Sequence, residues 1–206
     1  MADDARPIES GPTVRTAVPA YRERLFTVAE FDRMGQVGLL NEPGRHELRS
    51  GRIIVAPPAG TRHSQAEAAI VALLNRALDK LDAKRQRHIV QPHAGLQLAT
   101  RTFLEPDVAV AARIDPELQR FYAPADIALV IEVSHTSLDD DLTEKREKYA
   151  AAEIPEYWVL DVTDKALHVF RTPARGDYGE YRTVKPGETI SPLFEPGIDI
   201  DLADLF

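Results

Sequence analysis

The chain has 206 residues and a net charge of −8, with 44% hydrophobic and 28% charged residues, the make-up of a globular chain long enough to bury a full core. It contains no cysteine, which excludes disulfides, thiolate metal sites and cysteine nucleophiles, and no stretch nears the roughly 20 apolar residues of a membrane span. An acidic chain does not attract phosphate backbones as a whole, so contact with nucleic acid would rest on local basic groups or metal ions.

Residues 1–20 are rich in Pro, Ala and charge without periodicity, and read as a disordered arm. They lack the basic-then-apolar layout of a secretory signal, so the cytoplasm is the expected compartment, and residues 21–206 read as a single domain. A short helix is expected over 27–34, where Thr27 and Glu30 have the spacing of a capping box. After a turn at 41–44, residues 46–56 form a predicted β-hairpin around Ser50-Gly51, with Glu47 on the face opposite Leu48. Pro57-Pro58 ends its second strand, because proline cannot donate to the ladder. Over 66–81, Ala66, Ala69, Ile70, Leu73, Leu74, Ala77, Leu78 and Leu81 recur at helical spacing on one stripe, with His63 at its N-terminal end. Beyond it, Lys84, Arg85 and Arg87 form a small basic cluster, a candidate contact for nucleic-acid phosphates.

Three strands are predicted next. The first, 88–98, is made irregular by Pro92 and Gly95. The second, 102–112, contains Pro106-Asp107, and its alternation places Phe103, Glu105, Asp107 and Ala109 on one face, with Leu104, Val108 and Val110 on the other. The third, 127–133, is continuously apolar until Glu132 and reads as a central strand buried on both faces. Residues 115–124 form a short helix or loop. A long helix follows over 137–152, with Ser137 and Asp140 as a capping pair and Asp139, Asp140 and Asp141 at the positive end of its dipole. A second hairpin, 157–161 with 166–171, turns at Thr163-Asp164-Lys165. A strand over 178–184 and a final strand or turn over 198–206 complete an α/β (α+β) chain: a mixed β-sheet flanked by helices, preceded by an N-terminal hairpin.

The residues able to do chemistry converge on residues 126–149. Asp107 and Glu132 stand on neighbouring strands, where two carboxylates can meet one divalent cation, and oxygen donors suit Mg²⁺ or Mn²⁺. Leu142, Lys145, Tyr149 and Ala152 share one helical face, so Lys145 points toward the sheet, where an ammonium needs a partner. The connection from Glu132 to this helix is short, which brings Lys145 within reach of both carboxylates. The six histidines show no HExxH or paired ligand spacing and point to no zinc site. There is no GxSxG and no P-loop. Trp158 reads as core rather than as a platform for stacking bases.

The order of these pieces resembles the PD-(D/E)XK nuclease superfamily and, more narrowly, the Uma2 family (DUF820) of restriction-endonuclease-like proteins. The matching pieces are His46-Glu47-Leu48 with Gly51, Pro57-Pro58, His63, Pro106-Asp107, Ile131-Glu132-Val133-Ser134, Asp141 with Lys145 and Tyr149, and Glu156-Tyr157-Trp158. They run in family order from about residue 25 to the C-terminus. The resemblance implies a restriction-endonuclease-like core and a metal-dependent endonuclease acting on DNA. Asp107, Glu132 and the main-chain carbonyl of Val133 would be ligands of Mg²⁺ or Mn²⁺, with Glu47 a further candidate. Lys145 would orient the attacking water and balance charge on the phosphate, and His63, Ser134 and Tyr149 would support the site. One departure stands out: the superfamily lysine belongs two residues after Glu132, where this chain has Ser134, and Lys145 on the following helix would replace it. Two rivals accompany this reading, an interaction module of the same fold with little or no catalysis and a metal-dependent hydrolase of another substrate. A homodimer is expected, since one site per chain cleaves two strands most simply as a two-fold pair.

Overall fold

A computed structural model describes residues 22–81 and 87–205. The expected N-terminal arm lies outside the described residues, as do Lys84 and Arg85 of the basic cluster; Arg87 is exposed. Three helices are labelled α1 (Val28–Gln36), α2 (Thr61–Leu81) and α3 (residues 138–151). Twelve strands are labelled β1 (Arg45–Arg49), β2 (Arg52–Ala56), β3 (His88–Pro92), β4 (Leu96–Ala99), β5 (Thr102–Leu104), β6 (Val108–Ala112), β7 (Ile127–Ser134), β8 (Glu156–Asp161), β9 (Ala166–Ala174), β10 (Asp177–Val184), β11 (Thr189–Ile190) and β12 (Ile200–Asp201). Among the described residues, no helix is long and apolar enough to cross a membrane.

The main sheet has the order β10-β9-β8-β7-β6-β3. Its pairs are antiparallel except β7 with β8, which run parallel because α3 carries the chain back between them. Strand β7 is central, and its two faces enter separate cores. Leu129, Ile131 and Val133 join the α2 stripe of Ala66, Ile70, Leu73, Leu74 and Leu78. Ile127 and Val130 pack instead with Tyr149 of α3, and with Tyr157 and Ile154. Each buried Leu or Ile of the α2 stripe contributes about 1.5–3 kcal/mol of burial, which fixes that helix under the sheet. Trp158 is fully buried, as its place on β8 requires.

A second, four-stranded sheet has the order β2-β1-β5-β4. The hairpin of β1 and β2 turns at Ser50 (φ 51°) and Gly51 (φ 88°), two consecutive left-handed residues as a tight two-residue loop requires. Gly51 is also obligatory for space, since a Cβ there would stand 2.6 Å from Leu25 Cβ. Leu48 on this hairpin packs with Val28 and Phe31 of α1 and with Phe103. The Thr27–Glu30 capping box closes the start of α1 as its spacing predicts.

Three expectations are corrected here. The strands predicted over 88–98 and 102–112 each divide and change sheets: β3 and β6 belong to the main sheet, β4 and β5 to the small one. The breaks come at His93, which takes the left-handed φ of 49°, and at Pro106-Asp107, where proline has no N–H for a ladder. Simple alternation therefore fails across 105–107, and Leu104 packs in the same core as Ala109 rather than opposite it. Helix α2 starts at Thr61 rather than at residue 66, which puts His63 inside its first turn. Helix α3 widens over Asp141–Lys145 into a π-turn, and Ser137 does not cap it with a side-chain hydrogen bond.

Candidate active site

Asp107 sits where the chain passes from the small sheet to the main one. The register Val108↔Ile131 sets it opposite Glu132 on the neighbouring strand. It is buried, and every oxygen is engaged. Oδ1 accepts from Arg45 Nη1 at 2.6 Å, while Oδ2 accepts from the Val133 amide at 2.7 Å and meets His63 Nε2 at 3.0 Å. The Val133 backbone thus reaches Asp107 through its N–H.

Glu132 is fully buried on the face of β7 turned toward α3. Its Oε1 accepts from the Tyr149 hydroxyl at 2.7 Å. Its Oε2 lies 3.0 Å from Lys145 Nζ but without the angular geometry of a hydrogen bond. Lys145 is buried at 4% exposure, and besides Glu132 it faces Asp141 Oδ1 at 3.3 Å and Glu47 Oε1 at 3.9 Å. The helical-face reading of Lys145 therefore agrees with the structure. The π-turn adds what that reading missed: within it, the four-residue spacing sets Asp141 and Lys145 side by side and buried. The Tyr157 hydroxyl donates to the Asp141 carbonyl at 2.9 Å and anchors this turn from the sheet. Ser137 donates to Asp141 Oδ2 at 2.6 Å, and Ser134 Oγ lies 3.4 Å from Ser137 Oγ. Ser134 thus reaches Asp141 by way of Ser137.

Glu47 reaches the cluster from β1 and is mostly committed elsewhere. Its Oε2 takes both Nε and Nη2 of Arg49, at 2.9 and 2.7 Å. Arg49 Nη1 then reaches Asp140 at 2.8 Å and Glu144 at 3.2 Å, which ties the hairpin to α3. Arg45 and Arg49 were not singled out from the sequence. Asp107 lies 62 residues from Arg45 and Asp140 lies 91 from Arg49, and no local pattern signals these contacts.

The charges set one another. Burial alone would raise Asp107, but the His63 hydrogen bond and the charges of Arg45, His63 and Lys145 outweigh it and hold the carboxyl well below its usual range. Glu132 goes the other way: burial, reinforced by Asp107 and Asp141 and opposed by Lys145 and Arg45, pushes it up to about 8. Burial also raises Asp141, against Lys145 and the Ser137 hydrogen bond. Burial works to lower Lys145, yet Glu132, Glu47 and Asp141 raise it on balance. His63 is raised chiefly by its hydrogen bond to Asp107. Two neighbouring carboxyls with opposite shifts are the pattern of sites that divide acid and base roles.

The donor set fits a hard divalent cation. Glu132 Oε2 and Asp141 Oδ1 are buried oxygens without a hydrogen-bond partner, and carboxylate oxygens are what such a cation takes. Asp107, Arg45, His63, His93 and His135 line a cleft of about 730 Å³ with Phe31 on its wall. Glu132, Asp141 and Lys145 lie behind that wall, which makes Asp107 the link between cleft and cluster.

A mixed sheet flanked by helices, with buried carboxylates on adjacent strands around an inward lysine, defines a restriction-endonuclease-like α+β protein. The chain belongs to the Uma2 family, described as "Putative restriction endonuclease", which it matches over residues 28–203. Among solved structures it is similar to a protein from Anabaena variabilis ATCC 29413 described as a putative nuclease belonging to DUF820. The two share 18% identity and a TM-score of 0.66, over 88% of this chain and 97% of that one, a likeness of fold. No curated protein matches the sequence significantly.

Proposed function

We propose that the chain is a Mg²⁺- or Mn²⁺-dependent endonuclease that hydrolyses phosphodiester bonds, with DNA as substrate. The observation that carries this reading is Lys145 Nζ at 3.0 Å from Glu132 Oε2, reached from the helix where the strand itself offers only Ser134. Asp107, Glu132 and the main-chain carbonyl of Val133 would hold the ion, with Asp141 as an added carboxylate and Glu47 holding Lys145 in place. When bound, such an ion would polarise a phosphodiester and make water a better nucleophile at neutral pH. Lys145 orients the attacking water and balances charge that develops on the phosphate. Tyr149 fixes the Glu132 carboxyl through its hydroxyl, and His63 fixes Asp107. Arg45, on the cleft wall, meets an approaching phosphate. Supercoiled plasmid with Mg²⁺ or Mn²⁺ tests this: the wild type should nick it, and Glu132→Gln and Lys145→Met should not, while their circular dichroism stays that of the wild type.

One observation favours a second reading. Asp107 already has both oxygens engaged by Arg45, His63 and Val133, as in a site set for structure rather than turnover. A chain that cleaves no supercoiled, linear or single-stranded DNA with either metal would be an interaction module of the same fold. For the nuclease we propose a two-fold dimer. Strands β2 and β10 are the outer strands of their sheets and offer pairing edges. Light scattering should give twice the chain mass; a monomer at working concentration would count against it.

A further inference from the structure

We infer that His63, Glu67 and His93 form a second divalent-cation site on the cleft wall, with Asp107 holding the His63 ring, selective for a metal that favours imidazole nitrogen, such as Zn²⁺, Co²⁺ or Ni²⁺. Donor atoms of His63, Glu67 and Asp107 all lie within 4.8 Å of one another. Two of the three come from one helix face: His63 and Glu67 stand one turn apart on α2, with Nδ1 and Oε2 3.8 Å from each other. That separation is too long for a hydrogen bond. It leaves His63 Nδ1 a buried nitrogen with no partner, although a buried ring nitrogen ordinarily finds one. A tetrahedral ion with bonds of about 2.0–2.2 Å holds its ligand atoms about 3.4 Å apart, so a small contraction closes this gap around a metal.

The surroundings are arranged as those of a ligand set. His63 is oriented through its other nitrogen, 3.0 Å from Asp107 Oδ2. Glu67 stands beside His93, whose Nε2 is 3.0 Å from Oε1, which makes His93 the third ligand. Asp107 is itself fixed by Arg45 and the Val133 amide. Such outer partners set ligand geometry and basicity. His63, His93 and Asp107 line the open cleft, which supplies the entry path. The donor chemistry differs from that around Glu132: two imidazoles with carboxylates suit a borderline transition metal, whereas an all-oxygen set suits Mg²⁺. The sequence contains only the His63–Glu67 step of this arrangement, since His93 and Asp107 arrive from a strand break and a sheet crossing.

The inference does not depend on nucleic-acid hydrolysis, so the plasmid assay can fail while this site binds its ion. The metal-free full chain is titrated with Co²⁺ and followed by visible absorption, which is intense for a four-coordinate ion with nitrogen ligands. The wild type should develop the band. Glu67→Gln, which keeps shape, and His63→Gln should weaken Co²⁺ binding by more than about 100-fold, beyond the loss that outer partners cause. Glu132→Gln should retain the band with affinity within about tenfold of the wild type. As a check free of any variant, Co²⁺ should shift and broaden the ring resonances of His63 and His93 in the wild type and leave those of His168 in place. The inference is overturned if the wild type shows no band, if Glu67→Gln titrates like the wild type, if Glu132→Gln loses the band equally, or if the His63 and His93 resonances do not respond.

Discussion

Replacing Tyr149 by Phe removes one oxygen atom and little else. The ring is fully buried and packs against Tyr157 at a centroid separation of 4.9 Å, and phenylalanine retains that contact. What disappears is the 2.7 Å hydrogen bond to Glu132 Oε1. Since Glu132 Oε2 has no hydrogen-bond partner, the substitution leaves a fully buried carboxyl with no hydrogen bond at either oxygen. A hydrogen bond to a charged group contributes about 1.5–3 kcal/mol net, and this one belongs in the upper half of that range. At about 2–4 °C per kcal/mol for a chain of this size, a loss of roughly 2–3 kcal/mol lowers the melting temperature by roughly 4–12 °C. Urea unfolding above pH 8, where the Glu132 carboxyl is ionised, measures it, with an unchanged m-value as the sign that the folded state keeps its extent. In a Glu132→Gln background the same substitution should cost only the roughly 0.5–1.5 kcal/mol of a neutral hydrogen bond. A loss below about 0.5 kcal/mol, or an equal loss in both backgrounds, would refute the role given to Tyr149.

Glu156 is a second buried carboxylate with a purely architectural set of partners: Trp158 Nε1 at 2.9 Å, Arg171 Nε at 2.8 Å and the Leu193 amide at 2.7 Å. Glu156→Ala should cost about 3–5 kcal/mol, the range for breaking a buried pair, and hydrogen exchange should accelerate at the Leu193 amide. Gly51→Ala meets both a left-handed φ and the Leu25 Cβ, so calorimetry should show a loss of more than about 1 kcal/mol. His168 is lowered by burial, with Lys185 adding to it against Asp161 and Asp164. As pH falls through the ordinary imidazole value of about 6.5, the unfolded chain takes up the proton first and stability declines until the folded imidazole titrates. His168→Gln should remove that part of the slope in a pH series of urea melts; an unchanged slope would show that His168 does not set it.

The periodic parts of the fold are legible because burial imposes its own spacing. The α2 stripe, the apolar run of β7 and the Thr27–Glu30 box each announce themselves within a dozen residues. The same holds for Lys145, whose inward face follows from Leu142 and Tyr149 at helical steps. The division of 88–98 and 102–112 between two sheets is another matter. His93 and Pro106 mark breaks, but nothing local says that the chain resumes in a different sheet. Asp141 reads from the sequence as a residue suited to the positive end of a helix, and its burial beside Lys145 comes from the sheet it packs against. Arg45 and Arg49 owe their roles to Asp107 and Asp140, which a distant strand and helix supply, and Glu67 shows in the sequence only its four-residue step to His63.

The two sheet crossings also have a mechanical side. At one, His93 leaves β3 for β4; at the other, Asp107 ends the passage from β5 to β6, and the His93 amide donates to the Asp107 carbonyl at 3.1 Å. The small sheet therefore hangs from the large one on two covalent struts pinned together at the same height. Glu132 stands in the middle of the main sheet, whereas Asp107 stands at the junction, held from the main sheet by the Val133 amide and from the hairpin by Arg45. The two sheets thus each hold one oxygen of the same carboxylate, so the placing of β1 against β7 is fixed at Asp107 itself.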